Sequence, residues 1–396
     1  MKTLNQAILT ALYYQTPQSI AELSNTIGKS VPNITRSVQE LLKDNLINSE
    51  GLAPSTGGRR AIHYSLNTPV LPTILSIAID QYSTSMSLMD FSNYTIKELK
   101  QEHISFHPNE QLLERIIVLI DSFLENQNKE NILTVGISMP GFVDSEKGIN
   151  SSYSITDPLY NIKDAIESHL QIPTYIENDS TAIAIAEHQF GKAKDSANAL
   201  VVNLNWGVGL GMILEGKLFK GHSGYAGEFS HIPLSNQNKL CSCGKRGCLE
   251  VEASLIAALG HASEQIENGQ ISQLTANYGQ VGRIDIDQLI GAALNGDQVA
   301  IESFAKIGYM LGKGIATLIH IINPEKVIIS GKGSEVGQIL LPQIQASMLE
   351  FSIQRLSKDT TIEISTLHNA QIIGTASIAV SSSNWEVLHK KQTETN

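Results

Sequence analysis

Apolar residues in the first 66 positions recur at helical spacing. Leu4, Ile8, Leu9 and Leu12 mark one stripe, which predicts a first helix. Ser19 with Glu22 forms an N-cap box for a second helix with Ile20, Leu23 and Ile27 on its apolar side, and Gly28 ends it. A third helix starts near Ser30 and buries Ile34, Val38, Leu41 and Leu42, so that Asn33, Arg36, Gln39 and Lys43 face outward. The period then shortens. "LINSE" and "AIHYSL", the latter alternating Ile62, Tyr64 and Leu66, read as strands joined by the loop "GLAPSTGGRR". Three helices and a two-stranded wing are the order of a winged helix-turn-helix, here spanning residues 1–66.

"NTPVLPT", residues 67–73, carries two prolines and no periodicity, which predicts a linker. Beyond it one pattern occurs twice. Strands at "ILSIAID", "SMSLMDF" and "IKELKQE" precede a helix near 109–126, the strand "ILTVGISMPG", a helix, the strand "TYIEND" and another helix. Strands at "NALVVNL", "GVGLGMIL" and "KLFKG" then precede an irregular insert, helices through 297–322, the strand "KVIISG", a helix, the strand "TIEIST" and a final helix. The repeat predicts two α/β lobes with a cleft between them: 74–190, completed by the C-terminal helix near 370–385, and 191–369.

Composition adds limits. With 42% hydrophobic and 17% charged residues, the 396-residue chain is ordinary for a globular protein. No window approaches the ~18 uninterrupted apolar residues of a membrane span, and the amphipathic N-terminus is unlike a signal peptide, so a cytoplasmic protein is expected. The net charge of −11 is uneven: residues 1–66 hold six Lys/Arg against four acids, which leaves −13 on the remainder. Only the N-terminal segment can approach a polyanion without strong repulsion.

All three cysteines, Cys241, Cys243 and Cys248, fall within "CSCGKRGC". Gly244 and Gly247 allow the tight turns needed for the sulfurs to converge. The odd number, clustered in an otherwise cysteine-free chain, argues against a disulfide framework, and C-x-C is not the redox spacing C-x-x-C. His231, ten residues upstream, is the natural fourth ligand of a closed, structural zinc site.

These residues resemble the ROK family, which joins sugar kinases and sugar-responsive repressors. "SMPGFVD" (138–144), "PTYIENDSTAIAIAE" (173–187), "AGEFSH" (226–231) and "CSCGKRGCLE" (241–250) stand in the family's order. The resemblance implies a two-lobe, actin-like (ribonuclease H-like) sugar kinase fold, the Cys3His zinc site, and hexose binding by Gly141, Asn178, Asp179, Glu228, His231 and Glu250. Carboxylates, an amide and an imidazole suit sugar hydroxyls, which both donate and accept. His231 would serve zinc with one nitrogen and sugar with the other.

The kinases carry D-x-G-G-T in the first strand pair, where this chain reads "DQYSTS", with Tyr82 and Ser83 in place of both glycines. A tyrosine side chain there fills space that the phosphates require, so no enzymatic activity is expected. The glycines of "NWGVGLG" and "SGKGS" survive in part, Asp179 matches the kinase base, and "GINSSYSITDPLYN" departs from the kinase acceptor loop.

The winged helix with "STGGRR" resembles the repressor branch. The expectation is a sugar-responsive transcriptional regulator, a repressor of carbohydrate-use genes released by a monosaccharide or sugar derivative. The alternatives are an ATP-dependent sugar kinase, alone or bifunctional, and control by a protein partner. Expected partners are an inverted-repeat DNA operator, a sugar, and a second or further copies in a homodimer or homotetramer. Ser30, Asn33, Arg36 and Gln39 would meet the DNA from the third helix, where an arginine can pair with guanine. Gly57, Gly58, Arg59 and Arg60 would enter the minor groove from the wing.

Overall fold

Thr3 accepts a hydrogen bond from the Gln6 amide (3.3 Å) and so starts α1, Leu4–Tyr14. The computed structural model describes residues 3–52, 60–103, 111–235 and 237–385. It divides into two compact units, residues 1–179 with 375–396, and residues 180–374.

In the first unit, β1 (Gln18–Ser19) leads into α2 (Ile20–Ile27), whose capping box is complete: Ser19 and Glu22 each bond the other's backbone amide. Gly28 closes α2 at φ 70°, a left-handed conformation that glycine adopts without penalty. Helix α3 (Val31–Lys43) has Ser30 at its N-cap and buries Ile34, Ser37, Val38 and Leu41. Leu42, expected in the core, is only half-buried. Strands β2 (Ile47–Leu52) and β3 (Ile62–Leu66) pair antiparallel, and β1 adds to β3, so the small sheet has three strands where the sequence indicated two. Two residues are too short a run for alternation to show.

The same unit continues with β4 (Thr73–Ile79), β5 (Ser83–Met89), β6 (Thr95–His103), α4 (Leu112–Leu124), β7 (Ile132–Met139), the small hairpin β8 (Val143–Asp144) and β9 (Ile149–Asn150), α5 (Ile162–Leu170) and β10 (Thr174–Asn178). Its sheet runs β10-β7-β4-β5-β6, with β10, β7 and β4 parallel and β5 and β6 antiparallel additions. Strands β4 and β7 are almost wholly buried, which explains their continuous apolar runs.

After α6 (Asp179–Phe190), the second unit has β11 (Ala199–Leu204), β12 (Val208–Leu214), β13 (Lys217–Leu218), α7 (Glu250–Ala253), α8 (Leu255–Glu267), α9 (Thr275–Val281), α10 (Ile286–Leu294), α11 (Gln298–Ile322), β14 (Lys326–Ser330), α12 (Gly337–Phe351), α13 (Gln354–Ser357) and β15 (Thr361–Ile364). Its sheet order, β13-β12-β11-β14-β15, repeats the first: an antiparallel pair added to three parallel strands. Helix α14 (Ala370–Ser382) is the last element among the described residues.

The sequence pattern does not separate helices α8 to α10. Helix α8 buries Ala257, Ala258, His261 and Ala262 between Leu255 and Ile266 at its two ends, and such a face shows little large-apolar periodicity over its middle turns. Helix α11 packs closely on α12: a Cβ on Gly312 would lie 2.6 Å from the Ile344 carbonyl oxygen. No described helix is long and apolar enough to cross a membrane.

Candidate functional site

The chain from Phe229 to Glu250 folds back on itself through backbone bonds. Leu249 N–H donates to Ile232 (3.0 Å), Ser235 N–H to Gly247 (3.0 Å), and Cys241 N–H to Lys245 (2.8 Å). Gly244 and Gly247 sit at φ 82° and 77°, where side-chain-bearing residues are strained. The result brings His231, Cys241, Cys243 and Cys248 together, one donor atom from each within 4.8 Å of the others. His231 Nδ1 lies 3.5 Å from Cys241 Sγ, and the sulfurs of Cys243 and Cys248 are 3.6 Å apart.

A tetrahedral zinc with Zn–S bonds of about 2.3 Å places its sulfurs roughly 3.8 Å apart. Donor types and spacings therefore fit a metal ion. The thiols differ as the loop stands. A backbone hydrogen bond from Lys245 holds Cys243 below the usual thiol range, while burial pushes Cys248 up to about 12. A bound cation overrides the second effect, because a coordinating thiol is deprotonated.

The other nitrogen of His231, Nε2, is 3.6 Å from a carboxylate oxygen of Glu228, itself exposed. Glu250 opens α7 two residues after Cys248, with Oε1 3.7 Å from Cys241 Sγ and 3.5 Å from the Ser242 hydroxyl. In the second unit, then, Glu228, His231 and Glu250 all border the cysteine loop. Two glycines that the sequence reading did not assign to this place make room for it. A Cβ on Gly207 would approach Glu250 Oε2 to 2.8 Å, and one on Gly227, at φ 114°, would collide with the Leu210 carbonyl. The rest of "NWGVGLG" serves packing: a Cβ on Gly209 or Gly211 would strike Ser180 or Ala184 of α6.

In the first unit, β7 and β10 run parallel with Met139 opposite Asn178. The loop after β7 and the end of β10 therefore meet at one edge, where ligands of open α/β sheets bind. Asn178 Nδ2 donates to the Gly141 carbonyl (3.1 Å). Gly141 sits at φ 107°, and a Cβ there would collide with the Ser152 hydroxyl. Ser152 in turn accepts from the Phe142 amide (2.8 Å), and buried Asn150 donates to the Pro140 carbonyl (3.0 Å). Asn150 and Ser152 are supports that no motif announced. Asp179 is half-buried at the start of α6.

Asp80 to Ser83 form the turn between β4 and β5, closed by the Asp80 amide on the Ser83 carbonyl (2.8 Å). Ser83 is buried and begins β5, while Tyr82 is 37% exposed. Far along the chain, Ser30, Asn33, Arg36 and Gln39 of the α3 segment are all exposed, as is Arg60. Gly57, Gly58 and Arg59 lie outside the described residues.

Two sheets of the same five-strand order, each with its own helices, define an actin-like fold of the kind seen in sugar kinases and the regulators related to them. Residues 77–382 match the ROK family, and the chain belongs to it. Among its relatives, the Escherichia coli K12 "DNA-binding transcriptional dual regulator NagC" is 29% identical over 388 residues, 94% of this chain and 91% of that protein. The xylose repressor of Caldicellulosiruptor bescii is 27% identical over 92% of each. Among solved structures, a ROK family transcriptional regulator described as a homologue of the E. coli Mlc protein matches 99% of this chain and all of its own (TM-score 0.77, 26% identity). A ROK family glucokinase from Streptomyces griseus, in complex with glucose and AMPPNP, matches 78% of this chain and 99% of its own (TM-score 0.69, 26% identity).

Proposed function

We propose that this protein is a sugar-responsive, DNA-binding transcriptional regulator that represses carbohydrate-use genes and releases its operator when a monosaccharide or sugar derivative binds. One observation carries the reading: an amphipathic α3 with Asn33, Arg36 and Gln39 exposed stands ahead of a ROK body, in a chain that aligns along nearly its whole length with named transcriptional regulators. Residues 1–66 are the winged helix-turn-helix, 67–73 the linker, and 74–190 and 191–369 the two effector lobes, the first completed by the C-terminal helix near 370–385.

Helix α3 enters the major groove of an inverted repeat, bound by a dimer or tetramer, with Ser30, Asn33, Arg36 and Gln39 toward the DNA. Gly57, Gly58, Arg59 and Arg60 belong to the wing. Gly141, Asn178, Asp179, Glu228, His231 and Glu250 are the sugar residues. His231, Cys241, Cys243 and Cys248 hold a structural zinc, which fixes the loop that carries His231 and leads into Glu250. With His231 Nδ1 toward the cysteines, Nε2 and the Glu228 carboxylate are left to address a hydroxyl.

The rival reading is a kinase, favoured by the likeness to the glucokinase and by Asp179. Against it stands the Asp80–Ser83 turn, where Tyr82 and Ser83 replace the phosphate-binding glycines. The test is retardation of DNA from upstream of the protein's own gene, with monosaccharides and their phosphates added singly. Sugar-sensitive retardation with no ATP-dependent phosphorylation is expected. Failure to retard that DNA, or sugar phosphorylation lost in Asp179→Asn, would overturn the proposal.

A further inference from the structure

Helix α1 is buried on two faces. Ile8, Leu9 and Leu12 belong to the core, but Gln6 and Tyr13 are buried as well. They reach groups far along the chain. The Tyr13 hydroxyl donates to Asn93 Oδ1 (2.6 Å) and lies 3.4 Å from the Ser377 hydroxyl. Tyr14 donates to the Ser377 carbonyl (3.2 Å), and Gln6 donates to the carbonyl of Ser383. Around these bonds the Tyr13 ring meets Phe91 edge-on (centroids 6.1 Å, 79°), and Phe91 packs on Trp385 (4.7 Å), which is only 2% exposed. Burial raises the Tyr13 phenol above its ordinary range, so it stays a donor across the physiological range.

The stretch of α14 that carries Ser377 also grips β7. The Thr375 hydroxyl donates to the Ser138 hydroxyl (2.6 Å), and a Cβ on Gly136 would collide with the Thr375 carbonyl. Ser138 is two residues before Pro140, and Gly141 follows. A continuous set of buried contacts thus runs from the end of β7 through Thr375 and Ser377 to Tyr13 and Tyr14.

We infer that Tyr13, Ser377 and Thr375 are positioning residues: they latch the N-terminal helices to α14 and set the attitude of α1 by the position of β7. Its functional meaning rests on the reading above, in which Gly141 and Asn178 meet the sugar and α3 meets DNA. Displacement of the β7 end by a ligand is then passed to the DNA-binding helices along α14, a physical two-site coupling.

The test is amide hydrogen exchange on the full-length chain. Tyr13→Phe keeps the ring and removes the hydroxyl; α1 amides should exchange at least 10-fold faster while β4 and β7 exchange as in the wild type. Thr375→Val removes the hydroxyl that bonds Ser138 of β7, yet α1 should exchange faster, by 3-fold or more, and Thr375→Ser should restore wild-type protection. Wild-type exchange in Tyr13→Phe would refute the latch, and loosening of β7 without α1 in Thr375→Val would refute the link. Exchange is read without DNA, so this result is separate from the retardation test. In retardation, Thr375→Val should change DNA affinity 3-fold or more with Thr375→Ser unchanged, and equal affinity of all three proteins would refute the functional half.

Discussion

The cysteine loop and the seat of α1 are held by opposite means. In the loop, donors from one short stretch of chain converge to within 4.8 Å, with Cys241 and Cys248 buried and Cys243 exposed. At the seat of α1, Tyr13 meets Ser377 across 364 positions of sequence, inside a cluster of aromatic rings. The first arrangement is local and gathers four side chains that could hold a metal ion; the second is long-range and depends on burial. Removing a metal should therefore collapse one region and leave the other standing, while removing a ring should do the reverse.

The largest effect is expected at the loop. Chelation, or Cys248→Ser, should remove about one metal equivalent per chain and cost about 5 kcal/mol locally. Metal analysis with hydrogen exchange should show unprotected amides from 231 to 250 and an unchanged α1. A protein purified without chelator that contains no zinc would break the comparison.

Next comes Trp385→Ala, expected to cost about 4 kcal/mol by leaving a cavity against Phe91. Denaturant unfolding should report that loss, and metal content should not change.

His261 sharpens the contrast further, because it is a buried imidazole outside the cysteine cluster. Burial, with Lys306 and Lys239 adding to it, lowers its pKa from 6.5 to about 4, and among the described residues its Nε2 has no hydrogen-bond partner. The folded protein keeps this imidazole neutral while the unfolded chain protonates it, so stability falls as pH drops from about 6.5 to about 4. The loss should be about 2 kcal/mol after allowance for solvent screening. His261→Gln should flatten stability in that window, as measured by denaturant midpoints at each pH.

The smallest change should follow Arg36→Ala on the exposed face of α3. It should cost about 1 to 3 kcal/mol of DNA affinity at particular bases, with no change in melting temperature or metal content. Gel retardation on single-base operator variants reads it.

The two regions also differ in how far the sequence revealed them. Cysteine, histidine and glycine are distinctive, and "CSCGKRGC" states its chemistry within eight residues. The matched sheets were readable for a similar reason, since β4, β7, β11 and β14 are runs of buried Ile, Val and Leu. The seat of α1 had no such mark. Leu4, Ile8, Leu9 and Leu12 account for one face, and nothing local says that Gln6 and Tyr13 are covered by residues hundreds of positions away. Ser377 and Thr375 look like ordinary helix-surface residues, although both are fully buried. The supports of Gly141 were hidden likewise, because Asn150 ends a hairpin too short to show a period and Ser152 lies in the turn after it. Helix α8, whose middle turns bury Ala257, Ala258, His261 and Ala262, shows that a face with few large apolar residues also hides burial.

The distance along the chain between Tyr13 and Ser377 has a consequence for synthesis. A ribosome adding roughly 5 to 20 residues per second needs some 20 to 70 s to travel from one to the other. For that interval the nascent N-terminal helices exist without the residues that seat them. A chain released early, before Ser377 and Trp385, would carry α3 with its Asn33, Arg36 and Gln39 but no latch. In such fragments the face of α1 that carries Gln6 and Tyr13 would be open to solvent and to proteases.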